Sequence, residues 1–467
     1  MKKMTLICMA SLATLSACGG SSKKGAGEDT LPKVYFTSEI SPESLIRIYE
    51  ALGVEARGNV AVKISTGEAG NTHYLKPEFI GDLVDKIGGT IVECNTAYMG
   101  KRNTTEDHWQ TIRDHGFVPR FKVDLMDEEG SMDIPVQDTT HIKFDRVGTH
   151  LANYDFMVNL AHFKGHAMGG FGGVLKNASI GVASSAGKAY IHSWGNTFGM
   201  MELWDYVSNQ DAFLESMAAA AQGVHDYFKA RNGIVYINVM NNMSVDCDCD
   251  GHPAAPELLD MGIMASLDPV AVDQACLDMV FNHQAGEGDN EAALTERITS
   301  RHGTHTVDHA AAIGLGSKEY ELVCIDGTEE LAKLMIRTGQ AECVLVKDGE
   351  IAATESGHGV SPLLEMYDKR AAEMEGSTIV DKVVGRAAAS IAVCGKASHV
   401  HGELMSEDAV EVLSANGITS SYKQLVPRIL NRDMDGLCPL EQSVEGITDP
   451  AAALTALRAR VAELSGN

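Results

Sequence analysis

From residue 33 to about residue 325, short β-like runs alternate with amphipathic helices, and this alternation constrains the chain more than any other feature. Val60-Ala61-Val62-Lys63-Ile64 and Thr90-Ile91-Val92-Glu93-Cys94 read as strands, with a helix over 76–87 between them. Phe156-Met157-Val158-Asn159-Leu160 is a further strand, 203–229 reads as helical, and 233–239 is a buried strand. Strands separated by helices pair in parallel, because each crossover returns the chain to the same end of the sheet. The expected fold class is α/β, a mostly parallel sheet flanked by helices, with ligands at loops beyond the strand C-termini.

A second α/β unit is expected over 328–465, consistent with a chain of 467 residues holding more than one core. Cys343 to Thr354 predicts a hairpin about Asp348-Gly349. Helices are expected over 361–374, 382–393 and 407–415, with strands over 377–380 and near 398–402.

The first 17 residues read as a signal peptide: Lys2 and Lys3, an apolar stretch, then Leu15-Ser16-Ala17-Cys18-Gly19. That ending looks like a lipobox, in which Cys18 is acylated, and residues 18–32 read as a flexible tether. No later segment is long and apolar enough to span a bilayer. The expected location is the cell envelope, lipid-anchored on a non-cytoplasmic face, with the membrane a partner through the anchor. Lys+Arg number 38 against 64 Asp+Glu, a net charge of −26, which repels nucleic acid and anionic lipid surfaces. Eight of the ten cysteines lie beyond the anchor, with irregular spacing. Such a set can pair in an oxidising compartment, or remain as buried thiols.

Two stretches carry candidate chemistry. His162-Phe163-Lys164-Gly165-His166 leads into Met168-Gly169-Gly170-Phe171-Gly172-Gly173, then Lys176 and Asn177; seven glycines fall within 165–187. Between Arg146 and Met200 there are four basic residues and one acidic one, in a chain otherwise strongly acidic. A small anionic ligand is expected here, held by Gly170, Gly172, Gly173, Lys176, Asn177, Lys188 and His192, with the helix N-terminus assisting. His162, Lys164 and His166 are the candidate catalytic groups. A glycine-packed corner with solvated cations is the structural alternative. The second stretch is Asp246-Cys247-Asp248-Cys249-Asp250-Gly251-His252. Cys247, Cys249 and His252 suit a metal ion, iron or zinc; a solvated acidic turn and a vicinal redox pair are the alternatives. A ferredoxin-type cluster needs four ligands, usually from a Cys-x2-Cys-x2-Cys run, which this chain lacks. His302, His305 and His309 could bind metal, but Thr306 can equally cap a helix.

His162 to Asn177, Asp246-Cys247-Asp248-Cys249 and Ala265-Ser266-Leu267-Asp268-Pro269-Val270-Ala271 together resemble domain-of-unknown-function family 362 over about 33–325. Members of that family are often labelled Fe–S centre proteins. Many carry an inserted ferredoxin segment, which is missing here, so an iron–sulfur cluster would rest on Cys247 and Cys249. Val344 to Gly349, Asp381 to Ala389 and Asn431-Arg432-Asp433 with Cys438-Pro439-Leu440-Glu441 resemble family 1893, implying a cytidine-deaminase-like fold over about 328–465. The zinc-binding helix starts of working deaminases are missing. Asp381, Lys382, Arg386, Asn431, Arg432 and Cys438 are candidates for a second-domain pocket, or else cap and pair helices. The functional expectation is an envelope protein with a metal- or redox-active site acting on or binding a small anion. A non-catalytic anion-binding module is the alternative.

Overall fold

The computed structural model describes residues 30–283, 285, 288–431 and 435–464. The expected signal peptide, Cys18, most of the expected tether and Arg432 lie outside the described residues. Residues Pro32–Asn467 form one compact unit.

Among the described residues, twelve strands belong to its first part: β1 (Lys33–Thr37), β2 (Val60–Lys63), β3 (Thr90–Glu93), β4 (Val123–Leu125), β5 (Ser131–Ile134), β6 (Asp145–Gly148), β7 (Phe156–His162), β8 (Lys164–His166), β9 (Gly170–Gly172), β10 (Gly233–Met240), β11 (Gly262–Ser266) and β12 (Glu321–Cys324). Eight of them make one sheet in the order β12-β1-β11-β10-β7-β2-β3-β4. Every pairing is parallel except the two made by β11. β5–β6 and β8–β9 are separate two-stranded ribbons.

The sheet is covered on both faces. Along β7, Phe156, Val158 and Leu160 pack into one core and Met157 and Ala161 into the other, and all seven residues of the strand are buried. Near-continuous apolar runs follow from that double burial. A charged side chain on such a strand can survive only at its end, where the sheet meets a loop. Lys63 ends β2, Glu93 ends β3 and His162 ends β7, all at the C-terminal edge. Chain order reverses between β2 and β7, which opens a crevice at that edge.

The second part holds β13 (Cys343–Lys347), β14 (Glu350–Glu355), β15 (Thr378–Val384), β16 (His399–Ser406) and β17 (Thr419–Val426), in the order β14-β13-β15-β16-β17. The β13–β14 turn is at Asp348-Gly349, both with positive φ, the geometry that Asp-Gly favours. One expectation fails here. Asp381 and Lys382 do not open a helix; they lie inside β15, and the helix is Arg386–Cys394. Burial on both sides of the pair explains it: Ile379, Val380 and Val384 are buried against neighbouring elements, and pairing with β16 carries the strand past Lys382. Among the described residues no helix is long and apolar enough to cross a membrane.

Candidate functional site

A cavity of about 60 Å³ lies in the crevice, room for a few waters or one small ligand group. β2 supplies Lys63, β3 supplies Glu93, the following loop supplies Arg102, and β7 with β8 supplies His162 and Lys164. The glycine stretch contributes Gly172 and Gly173, and the helices after it Lys176, Asn177 and Lys188. Cys247, Asp248 and Cys249 close the wall. Five lysine and arginine side chains thus face the cavity against two carboxylates, Glu93 and Asp248.

Those two carboxylates are fully engaged. Lys63 Nζ lies 2.9 Å from Glu93, and Arg102 lies 3.2 Å from it and 3.5 Å from Glu68. Burial alone would raise the Glu93 carboxyl, but Lys63 and Arg102 bring it down to about 2. Asp248 holds Lys164 at 2.5 Å and His162 Nδ1 at 2.8 Å. Burial opposes its charge as well, yet Lys164 and His162 keep it well below the usual carboxylate range. His162 Nε2 also donates to the carbonyl of Asn241 at 2.5 Å, so both ring nitrogens face acceptors. The structure therefore pins His162 and Lys164 on Asp248. Lys188 donates to the carbonyl of Ala183 at 2.6 Å.

Lys176 differs. Among the described residues its ammonium has no hydrogen-bond partner. It lies over Gly172, where a Cβ would sit 3.4 Å from its Cδ and 4.0 Å from its Nζ. Burial, and then repulsion from Lys164, lower its pKa to about 7. An ammonium in that state gains from any anion that enters.

The glycines act differently from expectation. The amides of Val174 and Leu175, at the N-terminus of the helix Val174–Ala178, already donate to Asp273 at 2.9 and 3.0 Å. A Cβ on Gly173 would lie 2.3 Å from that carboxylate. The helix N-terminus is therefore occupied by the protein itself, and side-chain cations are what remains for a ligand. Gly170 does not line the cavity; it packs against Gly303, 2.8 Å from where its Cβ would be. His192 is stacked on Phe213 and bonded to the Lys188 carbonyl, away from the cavity. Asn177 reaches the cavity, and its side-chain amide ties the Lys63 carbonyl to Asn159.

Cys247 and Cys249 are joined by a disulfide. It lies between the cavity and an open basin of about 430 Å³ lined by Met99, Lys101 and Asp250. Cys247 is buried and Cys249 half-buried. The imidazole beside the sulfurs is His166, with donor atoms of all three residues within 4.8 Å of one another. His252 is not part of that group: it is exposed, and its own backbone N–H bonds the Asp250 side chain. His166 Nδ1 accepts the Gly169 amide at 2.7 Å, which leaves the ring proton on Nε2. Burial, then Lys176, lower its pKa well below the ordinary value, so the ring is neutral. The three donors fit a metal ion once the disulfide is reduced, and no metal identity follows from them.

The second-domain candidates do not converge. Asp381 bonds within the strand to the Val383 amide and sits beside Cys343. Arg386 reaches Asp408 and the Ile447 carbonyl. Asn431 bonds Asp435 at the surface, and Cys438 precedes the helix Pro439–Val444. Lys382 lines a different cavity, of about 210 Å³, with Arg337, Glu403 and Lys423 on one side and Asp260 and Met279 on the other.

Several site residues escape the sequence: Lys63, Glu93, Arg102 and Asp248. For Lys63 and Glu93 the available signal is a charge closing an otherwise apolar strand.

With this geometry the relatives can be placed. Residues 60–278 match the model of the domain of unknown function DUF362, and residues 331–461 that of DUF1893. The two matches stand in tandem along the chain. The cavity and the disulfide lie in the DUF362 domain. No curated protein matches the chain. A DUF1893 family protein from Thermotoga maritima is 26% identical over 28% of this chain and 88% of its own, with a TM-score of 0.27. A second Thermotoga maritima protein is 14% identical over 50% and 57%, TM-score 0.33. The lactate racemase apoprotein from Thermoanaerobacterium thermosaccharolyticum is 10% identical over 73% and 90%, TM-score 0.31. Likeness at these scores carries no argument about chemistry.

Proposed function

We propose that this is a lipid-anchored protein of the cell envelope in which a redox-active cysteine pair adjoins a site for a small anionic ligand. The observation that carries the reading is that the Cys247–Cys249 disulfide lines the same cavity as five cationic side chains matched by two carboxylates. Buried charge without a partner is costly, and an anion carrying one or two charges offsets it. Among the described residues Lys176 is the cavity cation with no hydrogen-bond partner, so it makes the principal contact.

Cysteine chemistry follows from access. A thiolate arriving through the basin attacks the Sγ of Cys249, the more exposed of the two residues. The S–S bond breaks and its electron pair goes to Cys247 Sγ, which already accepts the Cys249 amide at 3.2 Å. A second thiolate attacks the mixed disulfide, leaving an external disulfide and a protein dithiol, with two protons taken up. Both protons come from solvent, and the neutral His166 ring, with a nitrogen within 4.8 Å of the sulfurs, flanks the leaving thiolate without giving up its own proton. A disulfide also suits an oxidising compartment, which agrees with export and anchoring through Cys18. The acidic surface disfavours nucleic acid as a partner.

A second reading, a metal centre in the reduced protein, is favoured by the grouping of His166 with the two sulfurs. Alkylation of the full chain under air and after dithiol reduction, read by mass spectrometry, separates these readings from a passive structural role. The redox reading expects two extra tags, on Cys247 and Cys249, only after reduction, and their return to disulfide on reoxidation. Free thiols at both positions in air-isolated protein contradict it. One zinc or iron per chain in anaerobically reduced protein, lost in Cys247→Ser/Cys249→Ser, would support the metal reading.

A further inference from the structure

Away from the cavity, three histidines and two carboxylates from three separate segments converge on one another. The helix Thr304–Ala312 carries His305 and His309 one turn apart on one face. The neighbouring helix Gln210–Lys229 presents Glu215 to them. The loop before β6 brings Asp138 and His141, anchored by the fully buried Ile142.

Glu215 is the hub. His141 Nε2 lies 2.7 Å from one of its oxygens and His305 Nε2 lies 2.9 Å from the other. His309 is held from behind: its Nε2 donates to Asp138 at 2.8 Å. Asp138 is itself fixed by the amide and hydroxyl of Thr140, at 3.0 and 2.6 Å. The other ring nitrogen of His309, Nδ1, faces Glu215 at 4.0 Å. A carboxylate behind a histidine whose other nitrogen points into a donor cluster is the arrangement by which proteins orient metal ligands.

We propose that His141, His305, His309 and Glu215 form a binding site for a divalent transition-metal cation, with Asp138 orienting His309. Three imidazoles and one carboxylate match zinc, nickel or copper(II) and disfavour magnesium and calcium, which take oxygen donors. The side chains are only partly buried, between 17% and 35% exposed, so the cation enters directly from solvent. His141 and His305 turn toward the cation from their present bonds, their protons passing to Nδ1 through solvent. No bond to sulfur is involved, so the site stands independently of the cysteine pair.

The test is zinc titration by calorimetry on the full chain carrying Cys247→Ser/Cys249→Ser, which removes the sulfur donors. Saturable uptake of one zinc per chain is expected. His305→Ala/His309→Ala in the same background should abolish it. Both positions lie on the outer face of their helix, and circular dichroism checks the fold. Glu215→Gln, nearly isosteric, is a second variant that should weaken zinc at least about 10-fold. Asp138→Asn should cost roughly 10- to 100-fold with unchanged stoichiometry, as outer-shell partners do. The ring of Trp194 meets that of His141 edge-on at 6.3 Å, so copper(II) should quench its emission with the same stoichiometry. No saturable zinc uptake in the thiol-free protein, or uptake unchanged in His305→Ala/His309→Ala, overturns the proposal.

Discussion

The two domains solve one local problem in the same way and then diverge. In the DUF362 domain the helix Val174–Ala178 begins after Gly173, and its first amides are held by Asp273 from a distant helix. In the DUF1893 domain the helix Arg386–Cys394 begins after Gly385, and its first amides are held by Glu441 at 2.8 and 3.0 Å. Both glycines exist for the same reason: a Cβ would lie 2.3 Å from Asp273 or 2.4 Å from Glu441. Burial raises both carboxyls, Asp273 to about 6. Beside the first cap lies a cavity with five cations and a disulfide; beside the second, Arg386 is already paired. A glycine before a helix, satisfied by an internal carboxylate, is thus a packing device. The lysine next to one of them, without a hydrogen-bond partner among the described residues, is what points to a ligand.

Substitution at the two glycines tests the shared device and should give the largest effects. Gly173→Ala and Gly385→Ala should each destabilise the protein by about 1–3 kcal/mol, the usual range for overpacking, seen as a lower denaturation midpoint. A neutral Gly385→Ala would break the parallel. The next effect sharpens the difference. Lys176→Met should weaken sulfate binding by roughly 10- to 100-fold, the loss of one hydrogen bond to a charged group of about 1.5–3 kcal/mol. Arg386→Ala should leave sulfate affinity unchanged. Removing the caps comes third: Asp273→Asn and Glu441→Gln should each cost about 0.5–2 kcal/mol.

Much of this is legible in the chain. Doubly buried strands such as Val60–Lys63 announce themselves as apolar runs, and the Asp-Gly hairpin by its turn chemistry. The cationic stretch from Lys164 to Lys188 stands out because the rest of the chain is acidic. What cannot be read is pairing across long separations. Asp248 meets His162 and Lys164 from more than 80 residues away, and Asp273 reaches Val174 across 99. No local pattern reports such contacts, so in the sequence the glycines look like sources of ligand amides and His252 like the imidazole nearest the sulfurs. In the DUF1893 domain the difference is local: Asp381-Lys382 resembles a helix start, and burial of Val384 carries the strand on.

The smallest expected effect is on pH dependence. Asp273 titrates at about 6 and Asp381 at about 7 in the folded chain, both raised by burial from 3.8. Each folded state holds a proton that the unfolded chain has lost, so stability falls as pH rises from about 4 through those values. Asp273→Asn should flatten the fall up to pH 6, and Asp381→Asn the fall up to pH 7, in denaturant midpoints measured across that range. A wild-type midpoint that does not move over this interval would remove this part of the account.

The most direct measurement is sulfate titration of the full chain by calorimetry at pH 6 and pH 8, where the charge of sulfate itself does not change. With Lys176 titrating near 7, binding gains strength as the ammonium forms. The account predicts one saturable site per chain, tighter at pH 6 than at pH 8, with the pH dependence lost in Lys176→Met. No saturable binding at either pH, or the same affinity and pH dependence in Lys176→Met, would contradict it.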